Sequence, residues 1–292
     1  SSIVGGTGNQ HTAGSQNLIG GGALNTVAAG SNSTIVGGMS NQQTTGTQNL
    51  IGGGSSNTIA AGTNSTIVGG SGHQQTAGSQ NLIGGGSSNT FADGSNSTIV
   101  GGSGNQHTNG TYNLIGGGSS NTISAGSNST IVGGTGNQQT AGTQNLIGGG
   151  TSNTVTAGTN SSIIGGTGNQ QTAGSQNLVG GGSSNTIANG TNSSILGGTG
   201  NQHTTGTQNL IGGGSSNTVA AGTNSTIVGG TGNQHTAGSQ NLVGGGSSNT
   251  VADGTNSSII GGSGNTHTAG SQNLIGGGSS NTITNGTYST VL

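Results

Sequence analysis

"NLIGGGSSNTVAAGTNSTIVGGTGNQHTAGSQ", residues 209–240, decides the fold. It divides into four eight-residue units, each opening on Asn or Ser and carrying glycine in sixth place: Asn209 with Gly214, Asn217 with Gly222, Ser225 with Gly230, Asn233 with Gly238. Outward from this stretch the pattern holds along the whole chain. Glycine stands at residue 6 and at every eighth residue through Gly286, 36 times without a gap. The first position of each unit is Asn or Ser, with His73 the one other residue type. The third position is Ile or Val in three units of every four, with Phe91 taking the same slot once. Self-similarity at a fixed period marks a repeat architecture. The near-exact repeat is 32 residues, nine copies of it, and residues 1–292 read as a single repeat domain.

An eight-residue unit this rich in glycine cannot be helical, because each glycine costs about 1 kcal/mol against alanine in a helix. A β-branched residue followed by glycines suits a short strand and a turn. Stacking such units so that equivalent positions lie about 4.8 Å apart pairs each coil with the next and builds one thin core. The expected fold is therefore an all-β β-solenoid. Two units per coil give 16 residues and about 18 coils; a 32-residue coil is the alternative that the longer repeat allows. Ile19, Val27, Ile35, Ile51 and Ile59 are the expected core. Gly6, Gly14, Gly22 and Gly30 are the expected turn glycines, where positive φ or close approach of the backbone is needed. Asn9, Asn17, Asn25, Asn41, Asn49 and Asn57 occupy one fixed corner, and their side-chain amides are expected to form a ladder along the stack.

One unit in four puts His or Gln in the core slot: His11, Gln43, Gln75, His107, Gln139, Gln171, His203, His235 and His267. Burying these unpaired costs about 1–3 kcal/mol each. Either the strand is shifted by one residue, turning Gln10 and Thr12 inward, or these side chains form an internal polar ladder; the shift is the preferred reading.

Chemistry is sparse. The chain has two acids, Asp93 and Asp253, no Lys or Arg and no Cys. Without bases it has no phosphate-binding surface for nucleic acid, and without cysteine neither disulfides nor thiolate metal sites. Histidines recurring at multiples of 32 residues lie about 9.5 Å or more apart in a 16-residue coil, too far to share one ion whose ligands sit about 2 Å from it. The two aspartates are about ten coils apart and cannot act as an acid–base pair. Runs such as "IGGGSS" lack the Lys and the helix of a phosphate loop. Apolar runs are far too short to span a bilayer. The sequence predicts no enzyme, no cofactor and no metal site.

"NST" or "NSS" recurs at Asn32, Asn64, Asn96, Asn128 and four later positions, beside expected turns. These are candidate N-glycosylation acceptors in a secreted protein. Asn before a small residue also suits a tight turn without any glycan.

"NTVAAGTN" and "STIVGGTG" are similar to the Asn-x-Val-x-Gly repeat of ryegrass-type antifreeze proteins. "QTAGSQNLIGG" resembles the repeat of bacterial ice-nucleation proteins, and the same units resemble the head repeats of trimeric autotransporter adhesins. All three resemblances imply a β-solenoid. They also imply two functions, ice binding and surface adhesion.

With Ile and Val inward, the outward neighbours on one face are Leu18 and Gly20, then Thr34 and Val36, then Leu50 and Gly52, continuing through Val68 and Leu82. Leucine breaks the threonine rank at every second coil, which counts against ice binding through this face. A sheet that is apolar on both sides is normally buried on both. With almost no charge to keep copies apart, Leu18, Val36, Leu50, Val68 and Leu82 are the expected association face. The chain begins at "SSIVGG" and stops at "STVL" without recognisable caps, from which end-to-end stacking is also expected. The function expected from the sequence is a structural, self-associating solenoid of an extracellular fibre, surface appendage or adhesin stalk. The alternative is a protein that binds ice, and a glycan surface is a third kind of partner.

Overall fold

A computed structural model describes all 292 residues, and it contains strands and turns with no helix. Two compact units, Ser1–Gln144 and Asn145–Leu292, are built alike. In the first, Leu18–Ile19 pairs in parallel with Thr34–Ile35, Leu18 opposite Thr34 and Ile19 opposite Ile35. In the second, Leu210–Ile211 pairs in the same way with Thr226–Ile227. Within each unit a strand meets the strand 16 residues on, so one turn of the solenoid is 16 residues, about 18 turns in all. The 32-residue coil is set aside by this register.

Each turn gives one strand to each of two sheets. One sheet, with strands such as Leu50–Ile51 and Thr66–Ile67, sends only Ile or Val inward from Ile19 to Ile275. It is called here the aliphatic sheet. The other, with strands such as Gln42–Gln43 and Thr58–Ile59, alternates Gln or His with Ile, Val or Phe. It is called the mixed sheet. From Gln170 onward, mixed-sheet strands lengthen to six residues, as Gln170–Ser175 pairs with Thr186–Thr191.

Ile19, Val27, Ile35, Ile51 and Ile59 are buried between the sheets, and Phe91 is fully buried in the same row. Each removes about 1.5–3 kcal/mol worth of apolar surface from water. Burial at one residue per unit gives a thin core, so the backbone and the asparagines carry much of the cohesion.

The asparagine corner works differently from an amide-to-amide ladder. Asn25 Oδ1 accepts the backbone N–H of Asn41 in the next turn (3.0 Å). Its Nδ2 donates to Gly38 O in that turn (3.0 Å) and to Gly21 O just before it (3.0 Å). Asn9, Asn41 and Asn57 repeat the arrangement. Each side chain thus clamps the backbone of two successive turns and satisfies groups that the corner would otherwise orphan. His73 is the exception that keeps the geometry, its Nδ1 accepting the Asn89 N–H (3.1 Å) where an amide oxygen would.

Candidate functional surface

The polar core slots come first, because they decide what chemistry the interior can perform. The expected one-residue shift does not occur. Gln42 faces out opposite Thr58 and Gln43 faces in opposite Ile59, while Gln10 and Thr12 are exposed. A shift would move a strand's whole side-chain set to the other face. Here the register is pinned by aliphatic turns on both sides and by the asparagine clamp. Nor is there an internal polar ladder, since each Gln or His is separated from the next by a turn carrying Ile, Val or Phe.

Histidine finds its partner six residues on. Asn17, Asn113, Asn209, Asn241 and Asn273 place Nδ2 2.7–2.9 Å from Nε2 of His11, His107, His203, His235 and His267. An amide nitrogen can only donate, so each ring accepts at Nε2 and carries its proton on Nδ1. Gln43 and Gln171 instead donate to Thr34 O and Ser162 O across the core (3.2 and 3.1 Å). Glycine makes the space: a Cβ on Gly190 would stand 2.8 Å from His203 Nδ1. These interactions explain the 32-residue repeat. In the mixed sheet a polar core residue is followed six residues later by Asn, and an Ile, Val or Phe by Ser, so two alternating turns make one sequence period.

The outer surfaces of the two sheets differ. On the aliphatic sheet, Leu18, Leu50 and Leu82 alternate along one rank with threonines, and Val36 and Val68 alternate along the next with glycines. Val36 and Val68 are 55% and 54% exposed and Leu50 and Leu82 37%, which makes this the apolar face. The alternation is enforced, because a Cβ on Gly20 would meet the Val36 carbonyl at 2.6 Å. Bulky side chains therefore form a checkerboard repeating every two turns, about 9.6 Å. The second unit has a corresponding row of exposed knobs in Ile164, Leu196, Val228 and Ile260. The mixed sheet presents Gln, Thr and Ala outward and no large apolar side chain.

A second regular feature lies at the seventh position of each unit, just past the glycine. It is Ser or Thr throughout, except for Ala23 and Met39. Equivalent hydroxyls bond along the stack, as between Ser79 and Ser95 (3.1 Å) and between Ser247 and Ser263 (3.1 Å). Sequence reading missed these ranks by considering only the second and fourth positions as outward. The near-invariant hydroxyl at every eighth residue was the available signal.

The eighth position is the corner. Asn32, Asn64, Asn96 and Asn128 sit there with φ of 53–55°, as do Gln and Ser residues with φ of 55–58° in neighbouring turns. Gly6, Gly14 and Gly22 have positive φ, whereas Gly30 does not and is instead buried against Ser33.

No pocket indents the surface, and no three His, Asp, Glu or Cys side chains gather within reach of one ion. No helix is long and apolar enough to cross a membrane. No family model matches the chain, and no curated protein matches it at a significant level. The likeness to ryegrass-type antifreeze, ice-nucleation and trimeric autotransporter repeats accordingly stands at the level of the fold, a solenoid of stacked parallel turns.

Proposed function

We propose that the chain is a structural, self-associating β-solenoid of an extracellular fibre, surface appendage or adhesin stalk, and that its partner is a second copy of itself. One observation carries this reading. The exposed Leu, Val and Ile rows gather on the outside of the aliphatic sheet, in a repeating pattern of knobs and bare glycines, while the opposite face is polar. Each half-exposed Val or Leu covered by a partner gains about 1 kcal/mol, and the rigid stacked backbone has little entropy left to lose on association. With a formal net charge of −2, copies scarcely repel one another.

Replacing Val68, Val100 and Val132 together by Thr keeps side-chain volume and β-propensity while removing apolar contact. Sedimentation velocity over a range of concentrations, with electron micrographs of the same samples, is expected to show wild-type oligomers or filaments and a variant dissociation constant raised at least tenfold. A wild-type chain that stays monomeric at high concentration overturns the reading.

Ice binding is the second reading, favoured by the seventh-position hydroxyl ranks, which repeat about every 4.8 Å. It requires a soluble rod with its Thr and Ser ranks free. The same triple variant separates the two, because it adds threonine to the flat face. Unchanged solubility with equal or greater thermal hysteresis supports ice binding, whereas weaker assembly without hysteresis supports the structural reading.

A further inference from the structure

We propose that the histidine-bearing turns form an acid trigger: protonation of His203, His235 and His267 opens the Asn145–Leu292 unit before the Ser1–Gln144 unit. The device lies in the core and is independent of what the outer faces bind.

The geometry admits only the neutral ring. His203 Nε2 accepts from Asn209 Nδ2 at 2.8 Å, His235 from Asn241 at 2.8 Å and His267 from Asn273 at 2.7 Å. A second proton would sit on Nε2, facing an N–H, so donor would oppose donor. The Nδ1 of each ring already lacks a partner, and no carboxylate enters the core to balance a charge. The same asparagines hold successive turns together: Asn209 donates to Gly222 O (2.7 Å) and accepts from Ser225 N (3.0 Å). Pushing the ring away from its asparagine therefore strains the clamp.

Few groups modulate this. The neighbours in register are aliphatic: Ile187 and Val219 for His203, Val219 and Val251 for His235, Val251 and Ile283 for His267. Ser225 Oγ lies 3.5 Å from His235 Nε2. Asp253 is the only charged side chain that acts on any of the three, favouring charge on His235 less than burial opposes it. The first unit is less sensitive by composition. Gln fills the slot at 43, 75 and 139, which leaves His107, packed against Phe91 at a ring-centroid distance of 5.0 Å, and His11 in an outermost turn. Burial lowers the pKa of His73, at an asparagine corner where its Nδ1 accepts the Asn89 N–H, and lowers that of His107 to about 4, so the first unit carries two such rings against three in the second.

Burial lowers the pKa of His203 and His235 to about 4 and lowers that of His267 as well, from an ordinary value of 6.5. A histidine whose folded value lies below its unfolded one contributes full stability above about 6.5 and loses it as pH falls toward 4. Across that window His203 and His235 each reduce the folded-to-unfolded ratio up to about tenfold per pH unit, together up to about a hundredfold, and His267 acts in the same direction.

The natural control is glutamine, which already occupies this slot in other turns. Urea unfolding followed by circular dichroism at pH 7.5, 5.5 and 4.5 compares wild type with His203→Gln/His235→Gln/His267→Gln. Peptide-resolved hydrogen exchange, corrected for intrinsic rates, locates the opening. The wild-type midpoint is expected to fall steeply below pH 6.5, with exchange rising first in Asn145–Leu292, and the triple variant to lose most of that dependence. A complementary variant, Gln43→His/Gln75→His, is expected to transfer acid sensitivity to the first unit. A wild-type midpoint flat to pH 4.5, a triple variant with undiminished pH dependence, or a Gln-to-His variant with no added acid sensitivity overturns the proposal.

Discussion

Gly230→Ala is expected to destabilise the solenoid by about 3 kcal/mol or more, while Gly229→Ala beside it changes stability by less than about 0.5 kcal/mol. The two glycines differ in conformation and surroundings. Gly230 has a φ of 89°, and a Cβ there would collide with the Gly246 carbonyl of the next turn and stand 2.6 Å from Asn233 Nδ2. Both neighbours belong to the clamp that ties one turn to the next, so neither can yield cheaply. Positive φ alone is not prohibitive in this fold, since Asn224 sits at 52° and Ser216 at 55° in the corner position. The collision with the next backbone makes the difference. Gly229 has open space around its missing Cβ and no left-handed φ. Urea unfolding monitored by circular dichroism measures both, and equal effects at the two positions would contradict the described stacking.

The second large effect concerns the clamp itself. Asn217 donates to Gly213 O (2.9 Å) and Gly230 O (3.0 Å) and accepts from Asn233 N (2.9 Å), all within a buried corner. Asn217→Ala leaves the Asn233 N–H and the glycine carbonyls without these bonds, at an expected cost of about 2–4 kcal/mol. Asn217→His is expected to cost less, because His73 already shows that a ring Nδ1 can accept the next turn's N–H at this corner. Asn224, exposed at the eighth position, tolerates alanine with a loss near 1 kcal/mol, the penalty of a left-handed residue without Asn's preference for it. The same unfolding experiment ranks the three. Asn224→Ala matching or exceeding Asn217→Ala would remove the clamp from the account.

These two sites also show what could be read from sequence. The eight-residue spacing of glycine and the β-branched third position pointed to both the solenoid and its inward row, because a strand's side chains alternate between faces and only the third position is Ile or Val in three units of every four. The 16-residue turn followed as the smaller of two coils compatible with that spacing. The direction of Gln43 or His107 did not follow, because burial cost alone argued against it and the offsetting partner is distant along the chain, Thr34 O nine residues before Gln43 and Asn113 six residues after His107. For His107 a signal was present, as in the mixed sheet Asn follows a polar core residue and Ser an Ile, Val or Phe, but its meaning needs the distance across the corner. The apolar face was legible from Leu50 and Val68. The hydroxyl ranks at positions such as Ser79 and Ser95 were not, because a strand-based alternation ends at the glycine and the chain's second outward face begins after it.

The chain has no native cysteine, so an introduced thiol reports directly on the proposed self-association through the aliphatic sheet. Val100→Cys places a thiol on the apolar face, where the native side chain is 54% exposed, and Thr108→Cys places one on the polar face of the mixed sheet. Under mild oxidation at equal protein concentration, the proposed association through the knob rows predicts predominantly disulfide-linked dimers for Val100→Cys and few for Thr108→Cys. Equal cross-linking at the two sites, or more at Thr108→Cys, would contradict it.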